Sequence, residues 1–295
     1  MDLEQSIIII ALVSLFASTV NGGLGYGYSS ISVPILLLWY TNKQINPYLN
    51  IVEVFLNPYV LISNRKGLTR NAIIHALPVL IGLIPGIVVG VYLLNSVDPK
   101  QLKLYFYIVI TPLILLQAAG VRKPIPVNLL GRGVGQSFGF GLGLLYSLTT
   151  ISGPPLALLF NNQGFVKEEF RASLGLIRTV ESLATFIGYT LTGLTSPSVF
   201  ASPLFPAFLL PIIPGVVLGQ LIVRKIARPE DFRRVCMSFD AWIVGFGFSR
   251  NLSFELALLT WQYAQFVWYF IILIDGVLLY RYFKPRINSL GKKTY

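Results

Sequence analysis

Apolar runs of about twenty residues recur from one end of the chain to the other, separated by short polar linkers. A helix of that length crosses a hydrocarbon core about 30 Å thick. A membrane β-barrel would instead show alternating segments of about ten residues, which the sequence lacks. The pattern predicts apolar segments at 5–21, 28–41, 47–63, 70–95, 100–119, 127–147, 151–162, 169–193, 203–224, 231–249 and 254–282. We therefore expect an all-α integral membrane protein.

Two of these segments, 28–41 and 151–162, are short, and each follows a break rich in glycine and hydroxyl residues. The first break reads NGGLGYGYSSISVP over residues 21–34. Unpaired backbone groups cannot face lipid, so a helix that is interrupted at membrane depth must line a cavity or be buried in protein. The sequence leaves open whether these two segments span the membrane or re-enter it.

Composition agrees with a membrane protein and excludes several other classes. Hydrophobic residues make up 54% of the chain and charged residues 12%, whereas soluble domains carry about 25% charged residues. The net charge of +11 comes from basic clusters between apolar runs, which argues against a nucleic-acid binder. One cysteine and one histidine leave no disulfide framework and no histidine–cysteine metal site. No metal or cofactor is therefore expected.

The basic residues also predict an orientation, because cytoplasmic loops of membrane proteins are enriched in lysine and arginine. If the loop that holds Arg65 and Lys66 is cytoplasmic, nearly all other basic residues outside the spans fall on the same side. The exceptions are Lys43, Lys100, Lys103 and Arg250. We expect a multi-pass protein of the cell membrane with its N-terminus outside and its C-terminus in the cytoplasm.

Sequence matches between the two halves indicate an internal duplication. IPGIVVG at 84–90 matches IPGVVLG at 213–219, and GLGYGYS at 23–29 matches GLGLLYS at 141–147. ISVPILLL at 31–38 likewise matches ISGPPLALL at 151–159. Each copy holds five segments, an odd number, so the second copy is inverted, as in many secondary transporters. The predicted units are a first repeat at 1–124, an inverted repeat at 125–250, and an additional helix with a basic tail at 251–295.

These motifs carry a resemblance to a known family. The glycine-rich hairpin, the S-x-P-x-L-L-L stretch after it and the second copy of both resemble the TauE/SafE family of membrane permeases, over roughly residues 20–250. The usual three adjacent glycines of the first motif are here GLGYG. The resemblance implies an exporter of sulfite, sulfoacetate or a related organosulfonate, driven by the proton gradient or the membrane potential.

The two breaks predict an anion site. A helix start presents free N–H groups and a partial positive charge, and nearby hydroxyls add further donors. Two such starts, facing each other near the bilayer midplane, would suit a small oxyanion. Small residues also let membrane helices pack tightly, so packing is the alternative reading for each of them. The candidate residues are Asn21, Ser29, Ser30, Ser32, Thr149, Thr150 and Ser152.

Charged residues inside apolar segments add to this prediction, because they are costly in a membrane and usually functional. Arg178 is expected to attract the anion and to pair with Glu181, three residues on. Glu181 and Glu53 are the candidate proton carriers. Aligning Pro34 with Pro155 gives an offset of 121 residues between the two halves. At this offset, Asn57 in the first half is matched with Arg178 in the second. Asn57, Asp240 and His75 form a second tier of polar candidates, and Asp275 is expected to pair with Arg281.

Three functions are compatible with these features of the sequence. A secondary transporter that moves a small anion by alternating access is favoured. A passive anion channel with the same site is the first alternative. An intramembrane enzyme is the second, although the sequence has neither an H-E-x-x-H nor a G-x-S-x-G motif, and no ATP-binding loop of the Walker type. The anion, the direction of transport, the coupling ion and the oligomeric state stay open.

Overall fold

The computed structural model describes residues 2–119, 132–161, 167–226 and 229–291, and these ranges contain helices and no strand. The helices are α1 (Leu3–Leu24), α2 (Tyr28–Leu36), α3 (Asn42–Ser63), α4 (Arg70–Ser96), α5 (Pro99–Ala118), α6 (Arg132–Thr149), α7 (Gly153–Asn161), α8 (Lys167–Leu191), α9 (Pro197–Ala201), α10 (Leu204–Leu209), α11 (Ile212–Lys225), α12 (Pro229–Arg250) and α13 (Trp261–Gly291). The all-α prediction is confirmed for the described residues. The start of the predicted segment 127–147 and the end of 151–162 lie outside them.

Long apolar helices form much of the protein. Among the described residues, five helical stretches are long and apolar enough to cross a membrane. They are Leu3–Leu24, Ala72–Ser96, Pro99–Leu116, Leu204–Lys225 and Trp261–Lys284. The fourth is interrupted, because α10 ends at Leu209 and α11 begins at Ile212, with Pro211 between them. Proline has no backbone N–H to continue the helical bonding there.

The two short predicted segments are short helices. α2 and α7 have nine residues each, about 13 Å of helix, so neither crosses a bilayer by itself. The turn before α2 uses Gly25 and Gly27 at φ values of 84° and 112°, a left-handed region that suits glycine. Thr150 stands at the same place before α7, with φ 56°. Both breaks are therefore sharp changes of chain direction.

Three pairs of helices make the main contacts: α1 packs along α11, α4 along α6, and α3 along α8. The first two pairs approach closely through glycine. A Cβ at Gly86 would overlap the carbonyl oxygen of Phe140, and a Cβ at Gly219 would overlap that of Thr19. Such contacts bring backbones together in the way that small residues allow in membrane proteins.

The additional helix α13 is attached to α12 by a buried ion pair. Arg234 Nη1 lies 2.9 Å from Asp275 Oδ1, and Trp242 Nε1 donates to the other carboxylate oxygen at 3.1 Å. Asp275 therefore pairs with Arg234, and the expected pairing with Arg281 is wrong. A residue on α12 satisfies this acid because the two helices pack along each other.

Candidate functional site

A stripe of polar side chains runs along one face of α3. Asn42, Asn46, Asn50, Glu53 and Asn57 follow each other at intervals of three or four residues, which places them on one side of a helix. All five are at most 1% exposed. The amide oxygen of each asparagine lacks a hydrogen-bond partner. Buried polar atoms are normally paired, so this face is unusually rich in unused acceptors.

The carboxylate of Glu53 is the centre of this stripe. Its Oε1 accepts from Arg178 Nη2 at 2.8 Å and from Ser29 Oγ at 2.7 Å. Its Oε2 accepts from Tyr146 Oη at 2.8 Å and from Asn57 Nδ2 at 3.5 Å. Glu53 thus joins the start of α2 to α6 and α8.

Arg178 pairs with Glu53, and the expected ion pair with Glu181 is wrong. The partner is 125 residues away in sequence and lies on α3, the helix packed against α8. Both side chains of the pair are nearly inaccessible, at 3% and 0% exposed. Arg178 Nε has no partner, so part of the guanidinium's bonding capacity is free. A guanidinium stays protonated in proteins, so the pair places a permanent positive charge beside Glu53.

Glu181 is fully buried, and neither of its carboxylate oxygens has a hydrogen-bond partner. Ser152, which immediately precedes α7, lies close enough to act on it electrostatically but outside hydrogen-bond geometry. The hydroxyl of Ser152 is also without a partner. Ser152 at the start of α7 and Glu181 on α8 are therefore two polar groups that a bound ligand or a proton would satisfy.

The starts of the two short helices meet. A Cβ at Gly153, the first residue of α7, would crowd the ring of Tyr26, which lies just before α2. Ser29 in the first turn of α2 reaches Glu53, as described above. The site is therefore bounded by α3, α6, α8 and the starts of α2 and α7.

A cavity of about 330 Å³ opens beside this cluster at the ends of α1, α3 and α11 and the beginning of α8. Its lining includes Arg171 and Arg224 and no acidic residue. The backbone of the glycine break forms one wall, and Arg171 Nη2 donates to the carbonyl oxygen of Gly23 at 3.2 Å. Asn21 is buried in the same wall with its amide oxygen unpaired. The lining is Asn21, Gly22, Gly23, Gly25, Tyr59, Val60, Ser63, Asn64, Arg171, Val216, Gln220, Val223 and Arg224.

The cavity and the buried cluster share helix faces. Arg171 and Arg178 are seven residues apart on α8, which is two turns and about 10 Å along one face. On α3, Val60 lines the cavity and Asn57 lies one turn deeper. The two arginines therefore lie in succession along α8, between the opening of the cavity and Glu53.

Some predicted residues lie away from this cluster or are engaged elsewhere. Ser32 donates to the carbonyl oxygen of Tyr28, and Thr149 to that of Leu145, both within their own helices. Thr150 donates to the neighbouring carbonyl of Thr149. Ser30 and Asp240 line a second, smaller cavity, and His75 is half-buried near the start of α4.

The sequence-based prediction does not single out Asn42, Asn46, Asn50, Tyr146 or Arg171, which belong to the cluster or to the cavity. Asn46 and Asn50 are four residues apart in the sequence, a spacing that places them on one face of a helix. The predicted apolar segment begins only at residue 47. Tyr146 and Arg171 gave no comparable signal. Arg171 was interpreted as a loop cation, but α8 begins at Lys167 and carries it into the cavity wall.

Comparison with known families identifies the class of protein. A family model described as "Sulfite exporter TauE/SafE" matches residues 10–245. This chain belongs to the TauE/SafE family. TauE/SafE proteins are membrane transporters, not enzymes, so the intramembrane enzyme is excluded. No curated protein and no solved structure matches the chain.

Proposed function

We propose that this TauE/SafE protein is a secondary transporter that exports a small oxyanion, sulfite or an organosulfonate, across the cell membrane by alternating access. Family membership supports the transport of an organosulfur anion. The observation that carries the finer proposal is the basic cavity, which lacks acidic lining and leads along α8 to a buried arginine.

The substrate would bind by replacing Glu53 at Arg178. A tetrahedral sulfonate or a pyramidal sulfite can present two of its oxygens to a guanidinium, as a carboxylate or a phosphate does. Protonation of Glu53 removes the competing charge and leaves Arg178 to the anion. Binding of the anion and of a proton therefore favour each other at this site. Glu53 and Glu181 are the two carboxylates that would exchange protons during transport.

Neutral donors would complete the site. The proposal assigns this role to Ser29, Ser152 and Asn21, which lie at the two helix starts or in the cavity wall. The hydroxyl of Ser152 is unpaired and can donate, whereas Asn21 would donate through its Nδ2, because its unpaired Oδ1 only accepts. Ser32, Thr149 and Thr150 have a smaller role, because their hydroxyls are already bonded to nearby carbonyls.

We infer an inverted repeat from matching contacts in the two halves. An offset of 125 residues relates Glu53 to Arg178 and the left-handed residue Gly25 to Thr150. For the fourth helix the offset is 129, from Gly86 to Gly215. Gly86 lies against Phe140 and Gly90 against Leu144, while Gly215 lies against Leu15 and Gly219 against Thr19. Adding 129 to the glycine positions of the first set and subtracting 125 from their partners gives the second set. This correspondence supports units at 1–124 and 125–250 with 251–295 added.

Under the offset of 125 residues, a residue of the polar cavity corresponds to a residue with different surroundings in the other half. Arg171 corresponds to Asn46, whose Nδ2 donates to the carbonyl oxygen of Leu148 at 2.8 Å. Asn42 donates to the same oxygen at 3.2 Å. These bonds hold the end of α6 against α3, and the corresponding bond from Arg171 to Gly23 borders the cavity in the other half. Among the described residues, a polar cavity beside Arg171 and a packed contact at Asn46 favour a transporter over a passive channel.

The cavity opens on the side that carries Arg224 and the loop with Arg65 and Lys66. By the positive-inside rule we assign this side to the cytoplasm. The structure would then be the inward-facing state, in which a substrate for export can enter.

The test is flux of radiolabelled sulfite in proteoliposomes with and without a pH gradient. Arg178→Ala should abolish flux, and Arg233→Ala should leave it unchanged because Arg233 pairs with the exposed Glu230 outside the cavity. Loss of one partner from a buried pair is destabilising by roughly 3–5 kcal/mol, so the neutral double variant Glu53→Gln/Arg178→Gln is the folded control. Normal sulfite flux in that double variant would contradict the proposal.

A further inference from the structure

A second buried carboxylate lies outside the anion site. Asp240 of α12 is 5% exposed, and its Oδ1 has no hydrogen-bond partner. It lines a small cavity of about 20 Å³ together with Gly27 and Ser30 from the start of α2. An acid buried in this way is costly in a membrane protein and is usually functional.

The first turn of α2 separates this cavity from the anion site. Ser29 reaches Glu53 on one side, while Ser30, the next residue, lines the cavity of Asp240 on the other. Consecutive residues of a helix are about 100° apart around its axis, so one turn of α2 bonds to Glu53 through Ser29 and lines the cavity of Asp240 through Ser30. A change at Asp240 would therefore act directly on the element that holds Ser29.

Among the described residues, the lining of this cavity includes no cation that would keep Asp240 charged. The cavity is lined from α1 by Val20 and Leu24, from α2 by Ser30 and Ile31, from the start of α7 by Pro154, and from α12 by Cys236, Met237 and Asp240 itself. Among these groups and Tyr26, the only ionisable neighbours are Cys236 and Tyr26, both neutral at physiological pH. Arg234, further along α12, is already paired with Asp275 of α13.

The size and chemistry of the cavity favour a proton over a metal cation. About 20 Å³ is room for one water molecule. The lining side chains that carry oxygen are Asp240, Ser30 and Tyr26, fewer oxygen ligands than a hard cation requires. A single proton, with or without a water, needs no more than this.

We propose that Asp240 is a proton-binding site, separate from the Arg178–Glu53 pair, and that its protonation state sets the position of the start of α2. Proton binding at Asp240 favours the packing seen here, and ionisation draws water and displaces the first turn of α2. This inference rests on the proposed transport function for its consequence, because α2 supplies Ser29 to the anion site.

The transport test separates coupling from anion binding. Asp240→Asn should retain exchange of labelled for unlabelled sulfonate, and its pH-gradient-driven accumulation should fall to the level seen without a gradient. Asp240→Glu should recover accumulation in part. Glu230→Gln is the matched control, because it removes a half-exposed acid from the same helix and should change neither activity.

A chemical test is independent of transport. A hydrophobic carbodiimide reacts with protonated carboxylic acids, and peptide mass spectrometry locates the adduct. In a Glu181→Gln background, Asp240 should be labelled increasingly as the pH falls, and Asp240→Asn should remove the adduct.

Each outcome has one meaning. Unchanged gradient-driven accumulation in Asp240→Asn, or an Asp240 that is unlabelled at every pH, would overturn the inference while the anion site stands. If Arg178→Ala transports normally but Asp240 is labelled with the expected pH dependence, the proposed anion site fails and the proton site stands. If Asp240→Asn loses exchange as well as accumulation, the role is structural and the inference is wrong.

Discussion

Glu53 shows how much of this site depends on a single side chain. Its two oxygens accept bonds from Ser29, Tyr146 and Arg178, which lie on three different helices. The carboxylate therefore holds these helices together when it is charged. Loss of that charge would loosen all three contacts at once, which is a direct way to link proton binding to helix movement.

Arg171 is expected to act earlier in transport than Arg178, because it lies in the cavity wall and is only partly buried. Arg171→Ala should raise the KM for sulfite roughly tenfold, the effect of one lost charged hydrogen bond, and change kcat by less than about twofold. Flux measured as a function of sulfite concentration checks this. Arg224→Ala, at the more exposed end of the same cavity, should have a smaller effect that salt reduces.

A loss of kcat in Arg171→Ala without a change in KM would contradict that assignment. It would place Arg171 in the conformational step and not in substrate capture.

At the residue scale, the sequence identified Arg178, Glu53 and Glu181 as functional candidates but joined the wrong pair. Charge inside an apolar segment is visible in a sequence. The partner of such a charge is not visible in the sequence. A neighbour three residues away on the same helix is easy to propose, whereas a partner on α3 can be found only if the offset between the two halves is known. The proline match gave an offset of 121, which is the separation of Asn57 from Arg178, and the two do meet, since Asn57 Nδ2 donates to the carbonyl oxygen of Arg178.

Among the elements, α2 and α7 are the ones whose length matters most. Nine residues do not cross a membrane, so each helix must begin inside the protein, where its first N–H groups need partners. The glycine-rich breaks made these short helices predictable. The interruption at Pro211 was not predicted, because prolines are tolerated within many membrane helices and do not by themselves indicate a break.

The packing of α4 on α6 gives a prediction with an internal control. A Cβ at Gly139 would overlap the carbonyl oxygen of Val79, whereas a Cβ at Gly141, on the same helix, would meet nothing within 4 Å. Gly139→Ala should therefore lower the melting temperature of the detergent-solubilised protein by several degrees. Gly141→Ala should leave it unchanged or raise it slightly, because alanine is the better helix former by about 1 kcal/mol.

Equal melting temperatures for the two variants would show that α4 and α6 do not approach each other as described. Thermal unfolding followed by tryptophan fluorescence is sufficient to decide.

At the scale of the whole molecule, the proposed repeat would give one sequence two access routes, one in each half. Arg171 in the open half and Asn46 in the closed half are corresponding positions. A rocking of the repeats would exchange their environments. The motif matches predicted a duplication, and the IPG match has the same offset as the α4 contacts, 129 residues. The two glycine-rich matches give 118 and 120 instead of 125, because short glycine-rich motifs align at several registers.

Cysteine accessibility tests this exchange. In a Cys236→Ser background, a cysteine at residue 171 should react with a membrane-impermeant thiol reagent from the cytoplasmic side, and a cysteine at residue 46 should be protected in the resting state. Conditions that drive the protein outward-facing should reverse the two reactivities, with residue 46 labelled from the outside. Labelling of both positions from both sides at once would instead indicate a passive channel.

The most direct measurement of the central claim is the binding of a small sulfonate to purified protein by isothermal titration calorimetry as the pH is varied. A sulfonate keeps its charge throughout, so any change in affinity belongs to the protein. If the anion replaces Glu53 at Arg178, wild-type affinity rises as the pH falls and Glu53 becomes protonated. Glu53→Gln then binds tightly at every pH, and Glu53→Gln/Arg178→Gln does not bind. Wild-type affinity that rises with pH, or Glu53→Gln binding weaker than wild type at neutral pH, would contradict the account.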